Sequence, residues 1–185
     1  DSSLPLSFAQ KRLWFIHEYD PSNPAYNLSF ALEIKYHLNL DVLKKSLGIL
    51  TDRQEIFKTC FVNVDGEPYV KIDKATSLNF ELIDFADLSE PMKKQTLEDH
   101  IVQTVGRPFD FGKTPLYKII LYVMSADEYY LVLYIPHVLT DGWSINVFKH
   151  ELESIYFNLL ENREIALKPL SIQYVDFAIW QNQYY

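Results

Sequence analysis

The stretch that most constrains the fold is Tyr129-Tyr130-Leu131-Val132-Leu133-Tyr134-Ile135, which runs directly into Pro136-His137-Val138-Leu139-Thr140-Asp141-Gly142-Trp143-Ser144. A dense apolar run of this length reads as a buried strand, and Asp141-Gly142 as a tight polar loop. Phe148, Leu152, Ile155 and Leu159 follow at spacings of three and four, the stripe of a helix. Strand, loop and helix in that order hold His137 at a fixed point, the way many folds present titratable side chains.

The flanking chain supplies more of both periods. Ser7 is a plausible N-cap for a helix in which Ala9, Leu13 and Ile16 form one buried stripe. After the Pro21-Ser22-Asn23-Pro24 loop, Leu28, Phe30, Leu32 and Ile34 alternate with Asn27, Ser29, Ala31 and Glu33, so a strand is expected between Tyr26 and Tyr36. Asn39 is placed to cap a helix over 40–52 whose inner face is Leu40, Leu43, Leu47 and Leu50. Strands are expected over 57–62, 68–72, 78–85 and 116–124, with Asp65-Gly66 as a hairpin turn. Helices are expected over 91–105 and 174–183. Helices alternating with strands predict an α/β or α+β sandwich built on one mixed sheet flanked by helices.

At 185 residues, with 48% apolar and 15% aromatic content, the chain is long and apolar enough for a real core. A net charge of −8 with no basic block argues against nucleic acid as partner. No apolar run reaches the roughly 20 residues of a membrane span, and Asp1 to Leu6 do not read as a signal peptide. Cys60 is the single cysteine, so no internal disulfide is expected and a reducing, cytoplasmic compartment fits.

His137 is the leading candidate for chemistry, because an imidazole exchanges protons at cellular pH; the plainer reading is a structural histidine at a strand end. Asp141 either orients that imidazole or anchors the loop through an ion pair to Arg53 or Lys58, and the anchor is favoured because a carboxylate beside a strand core needs a partner. Gly142 permits a positive φ or close approach of a ligand. Trp143 is expected to pack, and Ser144 to cap the helix or to donate a hydrogen bond to substrate. Ser144 lies outside any Gly-x-Ser-x-Gly turn. His17, His37, His100 and His150 lack metal-ligand spacing and read as surface or helix residues, Cys60 reads as a packing residue, and no Gly-rich phosphate loop is present, so neither a metal nor a bound cofactor is expected.

Four stretches, in order, resemble the motifs of nonribosomal peptide synthetase condensation domains. Ser7-Phe8-Ala9-Gln10-Lys11-Arg12-Leu13-Trp14 is similar to S-x-A-Q-x-R-L-W, and Arg53 to Phe61 to R-H-E-x-L-R-T-x-F. Pro136 to Gly142 sits on the H-H-x-x-x-D-G core, and Tyr174-Val175-Asp176-Phe177-Ala178-Ile179-Trp180 on Y-x-D-F-A-x-W. The opening motif and Asn23-Pro24-Ala25-Tyr26-Asn27 lean toward the subtype that takes an L-configured donor.

The resemblance implies a chloramphenicol acetyltransferase-like fold of two lobes with the active site in a tunnel between them. This chain would be the amino-terminal lobe, residues 1–185, without the carboxy-terminal one. The implied reaction is amide formation, the amine on an acceptor carrier protein attacking the thioester on a donor carrier protein. Both substrates ride on 4'-phosphopantetheine arms, and an adenylation domain is the implied neighbour. His137 would be the catalytic histidine, as general base or as the group that positions the amine. Asp141 would be the structural anchor, and Gly142 would leave room beside the arm. Pro136 replaces the first core histidine; at a strand end it removes one backbone donor without breaking the strand interior. Gln54 and Lys58 replace a histidine and an arginine, and lysine lacks the bidentate fork. These departures keep open a non-catalytic member that recruits a partner enzyme or carrier, and a relative that makes esters or epimerises. The lobe alone is expected to be inactive.

Overall fold

The computed structural model describes residues 4–185. Of the amino-terminal stretch read for a signal peptide, Asp1 to Ser3 lie outside the described residues. A two-residue strand β1 (Leu4–Pro5) precedes helix α1 (Phe8–Tyr19), strand β2 (Asn27–Ile34) and helix α2 (Leu40–Arg53). A 3₁₀ turn (Glu55–Lys58) leads to the hairpin of β3 (Thr59–Val64) and β4 (Glu67–Ile72). Then come β5 (Phe80–Asp84), α3 (Glu90–Val105), β6 (Lys118–Ser125), β7 (Glu128–Pro136), α4 (Gly142–Leu160) and α5 (Tyr174–Tyr184).

Local chemistry sets these boundaries. Ser7 and Gln10 form a reciprocal capping box at the start of α1, with Gln10 N–H to Ser7 Oγ at 3.2 Å and Ser7 N–H to Gln10 Oε1 at 3.0 Å. Asn39 Oδ1 accepts the Val42 N–H at 3.1 Å to start α2. Asp65 and Gly66 take φ of 53° and 90°, the left-handed pair that a two-residue hairpin turn requires. Several expectations shift. In α1 the buried residues are Gln10 and Trp14, while Ala9 and Ile16 of the expected stripe are exposed and Leu13 is only partly buried. Phe57 and Lys58 lie in the 3₁₀ turn rather than in a strand, and Leu40, in the first turn of α2, is 41% exposed while Leu43, Leu47 and Leu50 are buried.

The expected mixed sheet is present, in the order β2-β7-β6-β5, antiparallel throughout except for the parallel β5–β6 pair joined through α3. The strands do not all belong to it. β1, β4 and β3 form a second, antiparallel sheet, because the β3–β4 hairpin closes on itself and β1 adds to β4. Both faces of the larger sheet are covered. Ile119, Leu121, Leu131, Leu133 and Ile135 meet α2 and α4 through Leu43, Leu47, Leu50, Leu152 and Ile155. Ile120, Tyr122, Met124, Val132 and Tyr134 point the other way and meet Leu97 and Ile101 of α3. Strands β6 and β7 are thus buried on both sides, the reason their sequence reads as continuously apolar. Among the described residues no helix is long and apolar enough to cross a membrane.

Candidate active site

Strand β7 ends at Pro136, and residues 137–140 turn into α4. Val138 and Leu139 are buried at 4% and 6% exposure, pinning the turn to the core while His137 between strand and anchor stays exposed. Main-chain bonds from Leu139 N–H to Pro136 O (3.0 Å) and from Thr140 N–H to His137 O (3.3 Å) close the turn. The imidazole is fixed by the same turn, with Nδ1 at 2.7 Å from the Thr140 carbonyl oxygen. A carbonyl only accepts, so Nδ1 carries the proton, and in the neutral ring Nε2 is left as an acceptor. Sequence reasoning did not name Thr140, since a backbone carbonyl leaves no mark on residue type.

Asp141 is the N-cap of α4. Its Oδ1 accepts the Ser144 N–H at 2.8 Å and the Ser144 hydroxyl at 2.6 Å. Those two bonds, the hydroxyl first, hold its carboxyl below the usual carboxylate range, and the nearby His137 adds to the shift. Both roles expected for Asp141 are therefore corrected. It neither holds the imidazole, which the Thr140 carbonyl takes, nor pairs with Arg53 or Lys58, each of which has another partner. Arg53 Nε lies 3.0 Å from Glu151 Oε1, and Lys58 Nζ lies 2.7 Å from Asp52 Oδ1. The carboxylate finds its partners in the first turn of the helix it begins, which costs less order than reaching across the loop.

Ser144 is the residue that bonds the cap, not the cap itself. Gly142 adopts no positive φ; Gly66 is the glycine that does so among the described residues, and a Cβ at Gly142 would meet nothing within 4 Å. Gly142 shares that open space with Gly48 and Gly66, so neither its φ nor crowding requires a glycine there. Trp143 does not pack: it is 77% exposed on the first turn of α4.

Pro136 is accommodated by register. His137 N–H bonds Tyr26 O at 2.8 Å, which makes His137 and Tyr26 a hydrogen-bonded pair. Pairs alternate along an antiparallel ladder, so Pro136, opposite Asn27, falls in a non-bonded place with its nitrogen facing the β6 side. There the pairing has already ended, at Lys118 opposite Tyr134. The missing N–H breaks no ladder bond.

A polar clamp ties α2 to α4 beneath this corner. Besides Arg53, Gln54 Nε2 donates to Glu151 Oε2 at 2.9 Å. Gln173 Nε2 donates to the Arg53 carbonyl at 3.1 Å, and Gln173 Oε1 accepts the Glu55 N–H at 3.1 Å. Glu151 went unnamed by sequence reasoning, although its place between Phe148 and Leu152 on the inward stripe was the available signal. The first and fourth motifs meet as well. Ser7 Oγ and Tyr174 Oη are 2.9 Å apart, Phe8 N–H bonds Gln181 Oε1 at 2.9 Å, and Asn182 Nδ2 bonds the Leu6 carbonyl at 2.8 Å. Asp176 Oδ2 accepts the Gln173 N–H at 2.7 Å, ordering the start of α5. His17 is half-buried and stacked on Phe111 with ring centroids 3.8 Å apart, and burial lowers its pKa. His100 bonds the buried Tyr122 hydroxyl at 2.8 Å.

The sequence and the fold both have relatives among known proteins. The chain is 34% identical over 184 residues to a linear gramicidin synthase from Brevibacillus parabrevis, covering 100% of this chain and 2% of that protein. It is 33% identical over 183 residues to the phosphinothricin tripeptide synthetase PhsC of Streptomyces viridochromogenes, covering 99% of this chain and 17% of that one. It is 34% identical over 180 residues to the dimodular nonribosomal peptide synthase of Bacillus subtilis, covering 97% and 7%. The fold superimposes on the first condensation domain of the calcium-dependent antibiotic synthetase with a TM-score of 0.90 at 20% identity, over 100% of this chain and 44% of that one. The starter condensation domain of rhizomide synthetase RzmA gives 0.89 at 16% identity, over 100% and 46%. The chain thus spans less than a fifth of these relatives and less than half of these solved domains. The family model for the condensation domain matches residues 1–185, and the chain belongs to that family.

Proposed function

We propose that the chain is the amino-terminal lobe of a nonribosomal peptide synthetase condensation domain and that, completed by a second lobe, it forms amide bonds. The amine of an acceptor aminoacyl thioester attacks the carbonyl carbon of a donor thioester. The C–N bond forms, a tetrahedral intermediate collapses, the C–S bond breaks, and the donor arm leaves as a thiol after taking up a proton. Both substrates arrive on 4'-phosphopantetheine arms of carrier proteins, so tethering raises their effective concentration at the site. An adenylation domain in the same assembly and a cytoplasmic setting belong to the proposal.

The observation that carries this reading is the 2.7 Å contact between His137 Nδ1 and the Thr140 carbonyl oxygen. With Nδ1–H spent on the Thr140 carbonyl, Nε2 is the acceptor an attacking amine requires, whether it takes the proton as a base or orients the amine by a hydrogen bond. Asp141 acts through the helix, starting α4 directly after the histidine turn, and Gly142 leaves open space beside it for an arm. Arg53 and Glu151 hold α2 and α4 together beneath the turn, while Lys58 serves α2 through Asp52.

Pro136 favours a second reading, a non-catalytic member that recruits a carrier or an enzyme. Against it stands the strand register, in which Pro136 breaks no ladder bond and the His137 turn keeps its place. Single-turnover transfer in the complete domain decides: loaded donor and acceptor carriers are mixed with the native protein and with His137→Ala, and the product thioester is followed by mass spectrometry. The expected result is dipeptide from the native protein and loss of most of it in the variant. No product from the native protein with several loaded pairs would hand the assignment to the recruiting role.

A further inference from the structure

An apolar hollow of about 170 Å³ lies beneath the first turns of α4, beside the histidine turn. Leu133 and Ile135 of β7, Phe57 of the 3₁₀ turn and Phe148 of α4 wall it, and Trp143 and Val147 stand at its rim. A water needs roughly 10–15 Å³ of such space, so the hollow has room for far more than one solvent molecule. Its polar end is already satisfied, because both carboxylate oxygens of Glu151 are taken by Arg53 and Gln54. A charged group entering would therefore be desolvated without a counter-charge left to meet it, whereas an apolar group would lose only water. Thr140 connects the hollow to the reacting corner: its carbonyl fixes His137, and the same residue lines the hollow. Trp143, at 77% exposure, and Val147, at 38%, are apolar rim groups with little cover of their own.

We infer that this hollow receives the side chain of one of the two aminoacyl thioesters, of branched aliphatic or aromatic type, and that Trp143 closes over it. The inference rests on the condensation reading and adds to it the substrate class and the residues that select it.

The test uses the complete condensation domain as native protein, Val147→Trp and Trp143→Ala. Alanyl, leucyl and lysyl thioesters are varied first at the donor and then at the acceptor position. The native protein is expected to prefer leucyl to both alanyl and lysyl at one position, which identifies the source of the side chain. Val147→Trp, which fills the rim, is expected to cut the leucyl-to-alanyl ratio of kcat/KM there about tenfold or more, and Trp143→Ala to lower the same ratio. Ratios within about twofold of native at both positions, with amide still formed, would overturn the inference and leave condensation standing. A readout independent of transfer is tryptophan fluorescence titrated with the N-acetylcysteamine thioesters of leucine and alanine, Trp143→Phe serving as blank. A blue shift with leucine alone, absent in the blank, supports the inference, and no shift with either thioester counts against it. If the native domain forms no amide, the condensation reading falls and the titration alone decides the hollow.

Discussion

Asp141 Oδ1 accepts both the backbone N–H and the hydroxyl of Ser144, so one carboxylate starts the helix that follows the His137 turn. Asp141→Ala is expected to cost about 1 kcal/mol in urea denaturation at neutral pH, and Asp141→Asn much less, since asparagine caps about as well. The folded-state pKa of Asp141 is depressed, chiefly by the Ser144 hydroxyl. The stabilisation its charge supplies is therefore present above the ordinary carboxyl pKa and is lost as pH falls through the lowered value. The native protein should show that loss at the acid end, and Asp141→Asn should not; equal acid profiles would discount the charge. One position before His137, the Pro136 nitrogen faces a place where the ladder has ended. Pro136→Ala is expected to lower stability by about 1 kcal/mol, through lost packing and a freer unfolded chain, and to leave transfer intact in single-turnover assays. A gain in transfer of about tenfold or more, worth about 1.4 kcal/mol of barrier, would show instead that the proline holds the site back.

Between elements, the clamp of Arg53 and Gln54 on Glu151 is the connection with most at stake. The Arg53 and Glu151 side chains are 17% and 12% exposed, so removing one leaves a charge with little solvent to replace its partner. Glu151→Ala is expected to cost about 3 kcal/mol, while Arg53→Met combined with Glu151→Leu costs less than the two single changes added together. A double-mutant cycle by denaturation measures that coupling, and strictly additive losses would show that the clamp does not couple the two helices. This pairing also marks where sequence reading stops. The inward stripe of α4 was legible at Phe148, Leu152, Ile155 and Leu159, yet Glu151 within it was not, because its partner sits on a helix far away in sequence and no spacing rule links them. The alternation of β2 and the Asp65-Gly66 turn were legible because each encodes its own backbone geometry. The separate β1-β4-β3 sheet and the parallel β5–β6 pair were not, since strand composition does not name a neighbour. Exposure of Trp143 escaped for a related reason: whether an aromatic packs depends on what lies opposite, and nothing in the first turn of α4 states that.

On the scale of the whole molecule, the larger sheet is enclosed, with α2 and α4 on one face and α3 on the other, but the outer helix α5 is not. Tyr174, Phe177, Trp180 and Tyr184 form a row along it with successive ring centroids 5.7, 6.0 and 6.1 Å apart, each residue at least 41% exposed. An apolar row of that kind is normally covered in the working protein. His137 is likewise exposed, held among the described residues by the Thr140 carbonyl of its own turn. Amide formation between two tethered substrates requires both arms to be held in line and bulk water kept from the thioester. On the proposed two-lobe reading, this chain is one wall, which can fix the histidine but can do neither of those. The 185-residue chain purified alone is therefore expected to show the circular dichroism of a mixed α and β protein, yet to yield no dipeptide thioester from carriers that the complete domain joins. Substantial product from the lone chain would mean that one wall aligns and shields both arms, and the two-lobe argument would have to be given up.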